Sequence, residues 1–497
     1  MFEIPKTMHA GVDCEPEKLR KLPIAVFLSR HGDKILALVP LAFLIWVVTQ
    51  YAVAVPFLDQ WELVPLLEKT YHGDLTLHDL WAQNNEHRLV FPKIIMLLLA
   101  RLTHWNIHYE LAVNLILALG IFTVLIYQVK ITGRKLGMAG LHWAIPAISL
   151  IVFSISQYQN WLWGWQLQML LNMLTAVGGI LLLADETFSW RRFAAAALLG
   201  MVATYSFANG TLFWPIGLVI LFVATAGKRQ RPPAMITWLA VSVLILWSYL
   251  YHYQKPEEHP PLNLIFKMPF EYASFVLKYI GGICAQCVGG STSTDCNFAL
   301  VFGLAAILAM GWAGWMLVRK KVADFKTLLP YFGISLYSIG SALMTGVGRV
   351  GFGSNQAMYS RYCTTVVPLW VSLVVFLILL RTGSDRTMNA DPALKNRYER
   401  SAPLDCRQVS GWLLLTAITM LVLGSVCATD GAKTLSRIQT VGRKSLLNLA
   451  ANPASETDYR GLRFIYPRPK VIVERYPILM KYRLSVFRDR EIPLDSP

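Results

Sequence analysis

The stretch Leu58-Asp59-Gln60-Trp61-Glu62 sets two carboxylates three residues apart, just after the first long apolar run of the chain. In a helix starting near Asp59 the two acids share a face. A carboxylate at such an edge can take a proton from a hydroxyl acceptor. It can also hold a divalent cation, Mg or Mn, that activates the hydroxyl indirectly. A plain helix start fits the same residues, since Asp is a favoured cap and acids suit the first turn. Trp61 then belongs to an interfacial aromatic belt.

Further polar motifs follow. Asn84-Asn85-Glu86-His87-Arg88 offers a carboxylate, an imidazole and a guanidinium in succession. Arg88 suits bidentate phosphate binding, and His87 suits acid–base work or metal ligation. Three consecutive residues cannot all face one way, so at most two serve one site. In the segment 157–166, QYQNWLWGWQ, Tyr158, Asn160 and Trp161 combine ring faces and an amide that suit a sugar; an aromatic belt explains them equally. Asn209, in the turn FANG, is a further substrate-binding candidate; its match to a glycosylation acceptor pattern sits too close to two apolar runs to count. The segment 348–362 brings Arg349, Tyr359 and Arg361 into a Gly-rich loop that permits close ligand approach. Its guanidiniums need a counter-charge, either a lipid phosphate or one of Asp59, Glu62 and Glu86.

The elements that must position these residues are membrane helices. Of 497 residues 55% are hydrophobic and 15% charged, and the mean hydropathy is +0.45. Runs of about 18 or more apolar residues recur. The chain is therefore expected to be an all-α polytopic membrane protein. The net charge of +16 does not indicate nucleic acid, because the basic residues lie mostly in short segments between apolar runs. Spans are expected near 35–55, 109–129, 142–156, 166–184, 193–207, 211–226, 234–252, 298–318, 328–346, 363–380 and 411–428. Two further stretches, 90–106 and 270–290, carry Lys93, Arg101 and Lys278. If both cross, three basic loops are pushed outside, against the positive-inside rule. Eleven spans are thus preferred over thirteen, with both stretches lying in the outer interface and Lys93 and Lys278 snorkelling. In that layout every polar-aromatic loop faces outward.

This gives a cytoplasmic segment 1–34 with no cleavable signal, a membrane domain 35–429 whose first outer loop is 56–108, and an outer C-terminal segment 430–497. No internal repeat is evident. Cys284, Cys287 and Cys296 cluster, so a disulfide is one arrangement open to that loop.

An acidic motif after the first span, interfacial outer helices, 11–13 spans and a C-terminal outer segment together resemble the GT-C superfamily of integral-membrane glycosyltransferases. LDQWE, NNEHR, the GR…SRY loop and the tail YPILMKYRLSVF are similar to a set of uncharacterised bacterial membrane proteins. The resemblance implies a GT-C-like fold in the bacterial inner membrane, with its active face extracytoplasmic. It also implies a polyprenyl-phosphate-linked sugar donor and an envelope acceptor. Asp59, or Glu62, stands where that superfamily has its acidic base or metal partner, although the order Asp-Gln-Trp-Glu is not the usual acidic pair. From charge alone, Arg349, Arg361 and Arg88 are the phosphate-binding candidates. Two rivals remain: a transporter or flippase of a lipid-linked sugar, and a non-catalytic envelope-assembly protein. Transporters place ionisable groups near mid-membrane, whereas these collect at the outer ends of spans.

Overall fold

A computed structural model describes residues 23–257, 259–286, 293–390, 406–452 and 459–489. It is all-helical, and among the described residues the only β-type pairing is an isolated bridge between Asn84 and His87. The elements in chain order are α1 (Pro23–Tyr51), α2 (Val64–His72), α3 (Leu77–Trp81), α4 (Val90–Thr103), α5 (Ile107–Leu136), α6 (Ala144–Val152), α7 (Tyr158–Leu162), α8 (Leu167–Leu183) and α9 (Trp190–Thr204). They continue with α10 (Phe213–Ala224), α11 (Arg231–Leu250), α12 (Leu264–Lys267), α13 (Pro269–Gly281), α14 (Ser293–Arg319), α15 (Phe325–Arg349), α16 (Cys363–Ala390), α17 (Cys406–Ala451), α18 (Tyr459–Leu462) and α19 (Pro469–Lys481).

Nine helical segments among the described residues are long and apolar enough to cross a membrane. The shorter α9 and α10 pack beside α8. The helices α4 and α13, expected to lie in the interface, are 14 and 13 residues long and are not among these nine. The charged turns meet at one end, where Glu186 pairs with Lys135 at 3.1 Å and its carbonyl accepts from Lys228. Asp324 caps α15 there by accepting from the Thr327 N–H at 2.9 Å.

Three expectations change. Lys93 and Lys278 do not snorkel. Lys93 donates to the Asp79 and Ala82 carbonyls at 3.1 and 2.7 Å, closing the end of α3, because those carbonyls lack helical partners. Lys278 donates to Ser354 and Asn355 at 2.9 and 3.1 Å. Secondly, α17 runs unbroken through 429/430 for 46 residues, roughly 70 Å, and extends past the membrane-spanning length. Thirdly, Cys296 is a free thiol, while Cys287 lies outside the described residues.

The segment 157–166 is not a solvated turn. Its residues are buried apart from Tyr158 and Gln159, and they break the third pass into short helical pieces. Non-helical backbone at such depth survives where protein groups satisfy it or where it lines a cavity. Here Asn114 donates to the Asn160 carbonyl at 3.0 Å, and Gln439 of α17 donates to the Leu162 carbonyl at 3.1 Å.

Candidate active site

At the end opposite the charged turns lies a cavity of about 1210 Å³. Its walls come from the acidic turn after α1, the 83–87 turn, the broken segment before α8, the 207–215 turn, the α11–α12 loop, the 344–362 loop and the tail.

The acidic motif forms a 3₁₀ turn, Leu58–Leu63. Three residues per turn align side chains three apart, which is why Asp59 and Glu62 both face the cavity while Gln60, Trp61 and Leu63 are buried. Gln60 anchors the turn: its Oε1 accepts from the Phe57 N–H at 3.0 Å, and its Nε2 donates to buried Glu110 at 2.6 Å. Trp105 donates to the other Glu110 oxygen at 2.8 Å. Gly164 is what admits Glu110, since a Cβ there would sit 2.0 Å from Glu110 Oε2. Leu58 adopts φ +48, a left-handed conformation that costs a branched residue about 1 kcal/mol or more.

The two acids differ in their partners. Glu62 is held by the tail: Arg475 pairs with it at 3.0 Å and the Tyr466 hydroxyl donates to it. The Asp59 carboxylate makes no hydrogen bond or ion pair to another described residue. Burial raises its pKa, opposed by the Arg361 charge and assisted by Glu62 and Glu86.

The NNEHR motif is a tight turn with Asn85 at φ +49. Glu86 and His87 line the cavity, and Arg88 points away from it. Glu86 pairs with Arg349, and His259 lies 3.6 Å from its other oxygen. Burial opposes ionisation of Glu86, but the neighbouring positive charges hold its pKa below the usual range. His87 accepts from the Ala208 N–H at 3.1 Å and stacks on Phe207 with centroids 4.3 Å apart. Burial pushes its pKa down to about 4, so it is neutral at pH 7. The Arg88 guanidinium, expected to bind phosphate, instead donates to the Tyr249, Trp81 and Tyr251 carbonyls and is 3% exposed.

Arg361 also lines the cavity. No described carboxylate lies within ion-pair distance of its guanidinium, which rests over the rings of Tyr359 and Tyr362 at 4.7 and 5.3 Å. Its backbone is gripped by the broken segment: Asn160 Nδ2 donates to the Arg361 carbonyl at 2.9 Å, and Gln159 Oε1 accepts from its N–H at 3.3 Å. Asn160 is thus a support of the loop and not part of the cavity wall. Trp61, Tyr158, Trp161 and Tyr359 also stand outside the lining. Trp161 is spent on the Ser154 carbonyl at 2.9 Å, and Tyr158 packs against Gly431 of α17. Asn209 does line the cavity.

The aromatic segment 158–165 expected to hold a sugar contributes Trp163 and Trp165 to the lining, and further lining residues carry no expectation from the sequence: Gln166, Gln168, Lys255, His259, Tyr362, Tyr466 and Arg468.

The acids do not compose a cation site as they stand. Glu62 and Glu86 are already paired with guanidiniums, and among the described residues no group of three or more His, Cys, Asp or Glu is arranged to hold a metal.

No protein-family model matches the chain, and no curated protein matches it. Among solved structures, the archaeal oligosaccharyltransferase AglB from Archaeoglobus fulgidus, in complex with an inhibitory peptide and a dolichol-phosphate, is similar over 95% of this chain and 62% of that one. The identity is 12% and the TM-score 0.45, and this chain spans less than two thirds of that protein's length.

Proposed function

We propose that the chain is a membrane glycosyltransferase. It moves a sugar from a polyprenyl-phosphate carrier to an envelope acceptor at the outer face of the bacterial inner membrane. One observation carries this reading: a single cavity holds a carboxylate without a protein partner, Asp59, and a guanidinium without a carboxylate partner, Arg361. The acceptor hydroxyl oxygen attacks the anomeric carbon, forming a new C–O bond. The bond from that carbon to the phosphate oxygen breaks, and polyprenyl phosphate leaves with the electron pair. Asp59 takes the hydroxyl proton, and Arg361 meets the charge on the leaving phosphate. Burial strengthens Asp59 as a base by moving its pKa toward the working pH. Arg349, neutralised by Glu86, shapes the rim. A lipid-borne donor suits a cavity built from the ends of membrane helices, and the basic turns at the far end support the outward orientation.

The test compares envelope glycans and lipid-linked sugars in cells lacking the protein with cells carrying Asp59→Asn. The variant is expected to accumulate normally and to reproduce the deletion profile. A normal profile from the variant overturns the assignment. Lipid-linked precursor trapped on the inner leaflet favours a flippase instead.

A further inference from the structure

Three amide side chains in the cavity wall have no hydrogen-bond partner in the protein. Gln166, Gln168 and Asn209 are 1%, 5% and 4% exposed, and all three line the cavity. Gln166 Oε1, Gln168 Oε1 and Asn209 Nδ2 are buried with nothing to bond. Burying such a group unpaired costs about 1–3 kcal/mol. Natural structures satisfy the great majority of buried polar groups, so three exceptions in one wall call for a ligand. The oxygens of Asn114, Asn160 and Gln439 are also buried and unpaired, but those residues lie outside the cavity lining, where no ligand reaches them. Two further buried amides are fully used: Gln60 binds Glu110 and the Phe57 N–H, and Gln157 donates to the Ile151 and Val152 carbonyls at 3.2 and 3.0 Å while accepting from Thr364.

The same wall presents Trp163 and Trp165. The Trp163 indole is fixed by donating to the Phe57 carbonyl at 2.9 Å and by edge contact with the Phe57 ring at 5.6 Å. Trp163 and Trp165 flank Gly164, the residue packed on Glu110, so this wall is built directly onto the support of the acidic turn.

We propose that Gln166, Gln168 and Asn209 form the subsite that reads the transferred sugar, and that the sugar is uncharged. Each amide offers one acceptor oxygen and a two-hydrogen donor, and each sugar hydroxyl donates one bond and accepts two. The amides thus match a hydroxyl-rich ring or an N-acetyl group. They carry no charge to balance a carboxylate, whose unpaired burial is far costlier. This inference rests on the glycosyltransferase reading and adds the substrate class.

The test uses the purified full chain in lipid nanodiscs and three probes: farnesyl phosphate, farnesyl phosphate-linked glucose and farnesyl phosphate-linked glucuronic acid. Binding is read by tryptophan fluorescence. Wild-type protein is expected to bind the glucose probe about tenfold or more tighter than farnesyl phosphate, and the glucuronic acid probe no tighter than farnesyl phosphate. Gln168→Leu and Asn209→Leu should each cut the glucose increment about five- to tenfold and leave farnesyl phosphate affinity unchanged. Both variants should keep the wild-type elution profile, which separates lost binding from misfolding. Retained farnesyl phosphate binding with no glucose increment, or with an increment the variants do not alter, overturns the subsite alone. Equal gain from the glucuronic acid probe overturns the uncharged class. Failure of every probe to bind overturns the transferase reading and this inference with it.

Discussion

An ionised Asp59 at neutral pH works against the fold. Its pKa is raised by burial, so the folded state favours the protonated form. That preference stabilises the protein below the ordinary carboxylate pKa of 3.8 and is lost as pH climbs through the raised value. Asp59→Asn is therefore expected to raise the thermal midpoint at pH 7, with the gain shrinking toward pH 4, while turnover falls about 10²-fold or more. Paired melts and transfer rates across that pH range check both halves; a midpoint that falls at pH 7 contradicts the burial argument. In the wild type the acid limb of the rate profile should lie above pH 3.8. The two guanidiniums separate in the same way. Arg349→Gln strands Glu86 without its ion-pair partner and is expected to cost about 3 kcal/mol of stability. Arg361→Gln breaks no ion pair, so the melt should hold while farnesyl phosphate affinity drops.

The 3₁₀ turn that aims Asp59 is held from two directions. Inside, Gln60 binds Glu110. Outside, the tail grips it: the Leu58 N–H donates to the Ile465 carbonyl at 2.7 Å, Arg475 donates to the Trp61 carbonyl at 2.7 Å, and Tyr466 and Arg475 engage Glu62. Loosening the outer grip should misalign the base without touching donor contacts. Arg475→Ala is thus expected to lower kcat severalfold with donor KM nearly unchanged; an equal change in both would place the tail in donor binding instead. Much of this architecture was legible in the sequence. Apolar run length announced the long helices, and the spacing of Asp59 and Glu62 announced a shared face. What composition could not convey was the direction of neighbouring side chains in irregular backbone. In 84–88 a two-residue turn sends Glu86 and Arg88 opposite ways. In 157–166 the broken helix turns Trp161 inward and Trp163 toward the cavity, so only part of that aromatic segment reaches the lining. Lys93 and Lys278 misled for a related reason: unpaired carbonyls and a polar loop within reach outbid water.

Across the whole molecule, the helical bundle brings residues about three hundred positions apart in sequence to one chamber. Asp59, Glu86, Arg349 and Arg361 share its lining, while Lys135, Glu186 and Lys228 meet at the far end of the bundle. If that bundle spans a bilayer, the two groups lie on opposite sides, and the positive-inside rule puts the basic turns in the cytoplasm. Gln60 is 1% exposed and would make a poor reporter, whereas Asn85, Asn355, Lys135 and Arg229 are all exposed. In a background with the native cysteines replaced, a membrane-impermeant thiol reagent applied to intact spheroplasts should label Asn85→Cys and Asn355→Cys together. Lys135→Cys and Arg229→Cys should react only after the membrane is opened. Labelling that splits 85 from 355 would dismantle the chamber, because its acid and its guanidiniums could not then face one substrate. Labelling of 135 and 229 alone in intact spheroplasts would keep the chamber but turn its mouth to the cytoplasm.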